Sequence, residues 1–381
     1  MEAQSRGELL DLRHQLHRYP ELSGQEGRTA HIIASFLREN ALPDQMVEKL
    51  GGDGILAVYE GKEDGPTILF RCELDALPIQ EQAVQGHASE RDGVSHKCGH
   101  DGHMTIITGL ATALAKRRPE KGRVLLLYQP AEETGEGAKR VLHDRKFEPY
   151  LPDKVYALHN LPGYPKGSIV TKNGVFASAS KGKEVYLYGS TSHAGEPQNG
   201  ISPALAMADI VKQYFFLSQK ESFEDFVLVT VIHARLGSIA FGTSPGEAEV
   251  RATLRSYRED DMSFLTEKAE EIAVREGREN DLRVAFDEKE VFPASVNDEE
   301  VVVRVEEAAD RAGLERIRIG EPFKWSEDFG NFLHRYPGVL FGLGSGEEQP
   351  DLHNAEFDFP DEVVEQGVRI FEEIARLETD A

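Results

Sequence analysis

The sequence predicts an α/β protein in which a largely parallel sheet, layered α/β/α between helices, is interrupted by a smaller inserted domain. Three observations carry that reading. From Ile55 to Leu158, short apolar runs alternate with helical stretches, the rhythm of a parallel sheet. From about Lys183 the order becomes strand, helix, strand, strand, helix, strand, which is the ferredoxin-like pattern. After Val291-Phe292-Pro293 the chain returns to helix, strand and helix, so the middle segment lies within the outer domain rather than behind it.

In chain order, Leu9, Leu12, Leu16 and His17 form one helical stripe that Tyr19-Pro20 ends. Ala30, Ile32, Ile33, Phe36 and Leu37 form the next, after the turn Ser23-Gly24. Buried strands follow at Ile55–Tyr59, Thr67–Arg71, Val124–Tyr128 and Val155–Leu158, with helices at Thr105–Lys116 and Gly137–Asp144. The inserted domain reads as strand Lys183–Tyr188, helix Pro203–Leu217, strands Phe226–His233 and Glu249–Arg255, helix Asp260–Glu276 and strand Leu282–Phe286. Helix Glu299–Ala312, strand Gly338–Leu343 and helix Val363–Leu377 complete the chain. The expected division is 1–180 with 291–381 for the outer domain and 181–290 for the insert.

At 381 residues the chain exceeds one typical domain. It carries 43 Lys plus Arg against 67 Asp plus Glu, a net charge of −24 that repels nucleic acid and anionic membrane. Cys72 and Cys98 are the only cysteines, too few for a secreted disulfide scaffold, so a cytoplasmic location is expected. The stretch Met1-Glu2-Ala3-Gln4-Ser5-Arg6 shows no basic segment before an apolar core, and no apolar run approaches the ~20 residues of a membrane span.

The chemistry concentrates in Ser95-His96-Lys97-Cys98-Gly99-His100-Asp101-Gly102-His103, which packs a thiol, imidazoles and a carboxylate into one turn. Thiolate and imidazole are ligands of zinc, nickel, cobalt or manganese. Further candidates all trail predicted strands: Glu73 and Asp75, the pair Glu132-Glu133, His159-Asn160, and His353. In an open α/β sheet that edge is where ligands bind. Cys98, His100, one of Glu132 and Glu133, His159 and His353 supply more donors than a closed tetrahedral site needs, which points to two metals sharing a bridging group. The two glutamates divide the work, one on metal and one as general base. Singly, each feature has a plainer reading: a solvated helix start for the glutamates, a half-buried side chain for His159, a loop residue for His353. Cys72 reads as core, and His87, His96 and His143 read as surface residues.

Taken together, these residues resemble the aminoacylase-like dinuclear metal amidohydrolases, a group that includes hippurate hydrolases, N-acetyl-diaminopimelate deacetylases and hydrolases of indole-acetate–amino acid conjugates. The likeness spans nearly the full length. It rests on Arg13–Ser23, Asp75-Ala76-Leu77-Pro78-Ile79, Cys98–His103, Gln129-Pro130-Ala131-Glu132-Glu133, Ser192-His193-Ala194, Ser326-Glu327-Asp328-Phe329 and Leu352-His353-Asn354. The resemblance implies metal ligation by Cys98, His100, Glu133, His159 and His353, with Cys98 bridging and Glu132 as general acid/base. It further implies that His103 is not a ligand and that His193, in a lid and dimerisation domain, stabilises the oxyanion. Glu73 and Cys72 depart from the family pattern, as do Gln198 and the Phe241-Gly242 region of the lid, where substrate is held.

The expected function is hydrolysis of an N-acyl amino acid or similar small conjugate by metal-activated water, in a homodimer or larger homo-oligomer. Two divalent ions (manganese, zinc, nickel or cobalt) are the expected cofactors. A dipeptidase or carboxypeptidase with the same metals is the neighbouring reading. A binding protein that has lost turnover is the reading from another class, and retention of Glu132 argues against it.

Overall fold

The computed structural model describes residues 3–82, 86–220 and 222–380. The chain divides into two compact units, Met1–Phe176 with Ser295–Pro322 and Glu327–Ala381, and Ala177–Ala294 with Phe323–Ser326. The short segment Phe323–Ser326 therefore packs with the insert, although sequence order assigns it to the outer domain.

The first unit is built on an eight-stranded sheet. Its centre is parallel: Lys121–Gln129 pairs with Glu63–Glu73, that strand pairs with Lys154–Pro162, and the latter pairs with Gly338–Gly346. Their apolar runs are buried almost throughout, as strands covered on both faces must be. Gly54–Glu60 joins antiparallel to Lys121–Gln129, and Gln45–Leu50 extends the edge antiparallel beyond it. Sequence pattern missed Gln45–Leu50 because most of its side chains are exposed or half-buried, and an edge strand shows no apolar run. Helices Ala3–Arg18, Gly27–Phe36, His100–Lys116, Glu299–Ala312 and Val364–Thr379 add to the core, through Leu12, Leu16, Ile33, Ile106, Leu110, Val302, Val305, Ile370 and Ile374 among others.

The second unit has a four-stranded antiparallel sheet in the order Val227–Leu236, Glu247–Ser256, Ala179–Tyr188, Arg283–Phe292. Helices Ala204–Lys220 and Glu259–Glu279 bury Ile210, Tyr214, Leu265 and Ile272 against Val185, Leu187, Val250 and Leu254 of that sheet. The final strand runs on to Phe292, past the expected end at Phe286, because its pairing with Ala179–Tyr188 continues after a bulge.

Helix packing in the first unit leaves no room at Gly109. A Cβ there would stand 2.3 Å from a methyl group of Val368 and 3.2 Å from Leu9, whereas nothing lies within 4 Å at Gly7 of the first helix. Alanine favours a helix by about 1 kcal/mol over glycine, but overpacking costs about 1–3 kcal/mol. Gly7→Ala is therefore expected to raise the urea midpoint and Gly109→Ala to lower it, as followed by circular dichroism.

Candidate metal centre

The parallel strands end on one edge, and the loops that follow them converge there. His100 opens the helix His100–Lys116, directly after Gly99. Gly99 sits at φ 95°, and a Cβ there would meet the Asn160 amide oxygen at 2.4 Å, so the turn between Cys98 and His100 requires glycine. His159 lies within the strand Lys154–Pro162, and Glu132 and Glu133 follow Lys121–Gln129. His353 stands at φ 65° in the loop after Gly338–Gly346, with its backbone N–H donated to Lys97 O at 2.8 Å.

Hydrogen bonding determines which ring nitrogens are available. His100 donates Nδ1–H to the Asp75 carbonyl at 2.8 Å, and His159 donates Nδ1–H to the Asn160 carbonyl at 2.9 Å. Each imidazole thus carries its lone pair on Nε2, the arrangement that hydrogen bonds to carbonyls impose on metal-binding histidines. His159 Nε2 lies 3.3 Å from Cys98 Sγ. Donor atoms of Cys98, His100 and His159 fall within 4.8 Å of one another, as do those of Cys98, Glu133 and His353, and those of His100, Glu132 and Glu133. His100 Nε2 and Glu133 Oε1 are buried and have no hydrogen-bond partner among the described residues. Thiol, imidazole and carboxylate converging on unpartnered buried atoms are a donor set that fits divalent metal. His103 differs: Nδ1 lies 2.7 Å from Glu73 Oε2, and Nε2 lies 2.6 Å from the Asn160 side-chain oxygen and 3.1 Å from its backbone nitrogen, which engages both nitrogens.

Electrostatics favour a cation at the same point. Burial pushes the Glu132 carboxyl well above the ordinary range, and the charges of Glu327, Glu133 and Asp328 push it further. Burial raises Glu133 to about 7. Burial also raises the Cys98 thiol, helped by Glu133 and Glu132, and lowers His159. A cation among these groups reverses the penalty on each carboxylate and thiolate.

Arg71 is the main counter-charge, and sequence reasoning assigned it no role. Its guanidinium, fully buried, meets Glu73, Glu327 at 2.8 Å and Asp328 at 2.6 Å, and donates Nε–H to Gln129 at 3.0 Å. Asp328 donates its backbone N–H to Glu132 Oε1 at 3.2 Å, which links Arg71 to the glutamate pair. An arginine ending an apolar strand, two residues before an acid, was the available signal.

His87 and His96 correct the surface reading. His96 is 1% exposed, with no hydrogen-bond partner on either ring nitrogen among the described residues. His87 stacks on His14 with ring centroids 4.0 Å apart and lies 2.6 Å from Arg13. His193, Gln198 and Gly242 belong to the second unit, where all three are exposed. His193 Nδ1 accepts the Gly195 N–H at 3.0 Å, which leaves its proton on Nε2.

Fold and site together define an α/β protein whose first unit carries a buried thiol, imidazole and carboxylate centre suited to divalent metal. The model of Peptidase family M20/M25/M40 matches residues 69–377, and the chain belongs to that family. It is 31% identical over 369 residues to an N-acetylcysteine deacetylase of Bacillus subtilis (strain 168), a match that covers 96% of each chain. It is also 31% identical to an N-acetyldiaminopimelate deacetylase of Oenococcus oeni, over 95% of each. Among solved structures it resembles the Bacillus subtilis YXEP protein, described as a dinuclear metal binding peptidase from the M20 family. That likeness has a TM-score of 0.84 at 27% identity and covers 100% of this chain and 99% of that one.

Beneath the centre, His17 donates Nδ1–H to Asp101 at 2.8 Å and Nε2–H to Glu81 at 2.9 Å, while Arg13 reaches Asp101 at 3.0 Å. Burial alone would lower the His17 pKa, but Asp101 and Glu81 outweigh it and raise the group from 6.5 to about 9. Its contribution to stability is full below pH 6.5 and lost as pH rises through 9. Burial would raise Glu81, but bonds from His17 and Lys97 bring it from 4.5 to about 2, so its contribution is full above 4.5 and lost only toward 2. Metal-free protein is thus expected to lose on the order of 3 kcal/mol between pH 6.5 and pH 10. Urea titrations across that range check it, and His17→Gln should flatten the slope.

Proposed function

We propose that this chain is a metal-dependent amidohydrolase cleaving the amide bond of an N-acyl amino acid or a similar small conjugate. One observation carries the reading: His100 and His159 each bond a backbone carbonyl through Nδ1–H, His159 setting Nε2 3.3 Å from Cys98 Sγ and His100 setting Nε2 3.9 Å from buried Glu132 and 3.8 Å from half-buried Glu133. The names of the curated relatives, an N-acetylcysteine deacetylase and N-acetyldiaminopimelate deacetylases, support the substrate class.

Cys98, His100, Glu133, His159 and His353 would hold two divalent ions. When bound, such ions polarise an acyl carbonyl and make water acidic enough to react near neutral pH. Glu132 takes the proton as the water oxygen adds to the acyl carbon. It returns that proton to the nitrogen as the C–N bond breaks, releasing a carboxylic acid and a free amine. A carboxyl held above its ordinary range by burial suits both halves of that transfer. His193, with hydrogen on Nε2, is the proposed donor to the oxyanion. Thiolate and imidazole favour zinc, nickel or cobalt, whereas the carboxylates suit manganese.

We place the protein in the cytoplasm, since both thiols are free and buried and no described helix is long and apolar enough to cross a membrane. A homodimer is proposed through the edge strand Val227–Leu236, which exposes Leu228 and Ile232. An exposed apolar edge of this length is commonly covered by a partner.

Protein reloaded with manganese, zinc, cobalt or nickel is expected to release amino acid from pooled N-acyl amino acids, and chelator to abolish release. Glu132→Gln should lose about 10²- to 10⁴-fold in kcat while keeping metal; full activity in that variant would sink the mechanism. Ile232→Lys should move the protein from dimer to monomer in light scattering.

A further inference from the structure

We propose that Glu26 is a positioning residue for the loop bearing Glu132 and Glu133, an inference that rests on the amidohydrolase reading above. The loop begins at Ala131, which adopts φ 52°, a left-handed conformation that a residue with a Cβ rarely takes without support. Three consecutive backbone N–H groups follow that bend inward. Ala131 donates to Glu26 Oε1 at 2.8 Å, Glu132 to Asp75 Oδ1 at 3.1 Å, and Glu133 to Asp75 Oδ2 at 3.0 Å. Two carboxylates thus fill a concave set of amides of the kind that binds anions.

Glu26 is itself firmly held. It is fully buried, and the same Oε1 accepts the Gly24 N–H at 2.9 Å. The turn that carries it is anchored by Ser23, whose hydroxyl donates to Asp75 Oδ2 at 2.6 Å, and by Ala76 N–H donated to Glu21 O at 2.8 Å. Glu26 and Asp75 therefore act from neighbouring, mutually bonded segments on successive amides of one loop. Without Glu26, the buried Ala131 N–H loses its acceptor and the left-handed bend loses the restraint on its N–H side, keeping only the bonds that Glu136 and Gly137 donate to the Ala131 carbonyl. Both glutamates would then shift, one proposed as ligand and the other as base.

Glu26 Oε1 carries both hydrogen bonds, and Oε2 has no hydrogen-bond partner among the described residues. One acceptor oxygen of the side chain is therefore what the loop contacts. Burial pushes this carboxyl up against the backbone N–H groups that pull it down, so a neutral group is compatible with the arrangement.

Glu26→Ala and Glu26→Gln separate these features when kcat and KM are measured on an N-acetyl amino acid and manganese binding is measured calorimetrically on metal-free protein. In Glu26→Ala, kcat should fall on the order of 10- to 100-fold and manganese affinity about 10-fold, with KM within about twofold. Glu26→Gln should restore kcat and affinity to within about threefold of wild type. A lowered melting temperature in Glu26→Ala with unchanged kcat and manganese affinity overturns the proposal, as does a Glu26→Gln variant as impaired as the alanine. If the alanine variant does not fold, Glu26→Gln alone decides: near-wild-type values support the acceptor role and their loss overturns it. Glu132→Gln serves as the control. Full activity there removes the amidohydrolase reading itself, whereas inactive Glu132→Gln beside an unaffected Glu26→Ala removes only the role of Glu26.

Discussion

An excess of buried carboxylate charge at the ends of the parallel strands is the constraint on which the first unit depends. Glu73, Asp75, Glu132, Glu327 and Asp328 are all nearly inaccessible to water, and Arg71 is the guanidinium that reaches into them. Burying charge is costly unless it is paired. One arginine cannot neutralise so many acids, so the cluster holds protons or a cation. The Cys98 thiol and the free Nε2 of His100 make a cation the better solution, because they offer donors no proton needs.

The rest of the unit can be understood as keeping that charge in place. Backbone carbonyls of Asp75 and Asn160 set the two imidazoles, and the Asp75 carboxylate sets the glutamate loop from the other side. Asp101 is tied to Arg13 and His17 of the first helix, which fixes the turn of helix bearing His100. Asp328 is gripped by Gln129, by the Ala138 N–H and by Arg71 before it reaches Glu132. A donor set held this way is oriented before any ligand arrives.

Much of this was legible in the sequence. The alternation of apolar runs and helical stripes marks the central strands because they are covered on both faces, and the edge strand Gln45–Leu50 escapes for want of that cover. Glu132, Glu133, His159 and His353 were visible as chemistry trailing strands, and Cys98 and His100 as a dense cluster of thiol and imidazoles. Their supports were not. Glu26 sits in a turn where an acid ordinarily faces water, and only the fold brings it to Ala131, more than a hundred residues away. His96 looked like surface because its polar neighbours conceal that the whole turn is buried. Local pattern records the face a residue presents within its own element. It does not record which distant backbone amide awaits an acceptor.

The same division separates residues fixed by internal contacts from residues that packing leaves open. The groups proposed to bind metal and move protons lie in one unit, close to strand ends, and their types are dictated by coordination and proton affinity. The second unit supplies exposed positions, His193, Gln198 and Gly242, where few local contacts constrain the residue chosen. A Cβ at Gly242 would meet nothing within 4 Å, so packing does not explain glycine there. Internal contacts therefore account for the residue types of the buried centre in the first unit, and packing leaves Gly242 of the second unaccounted for.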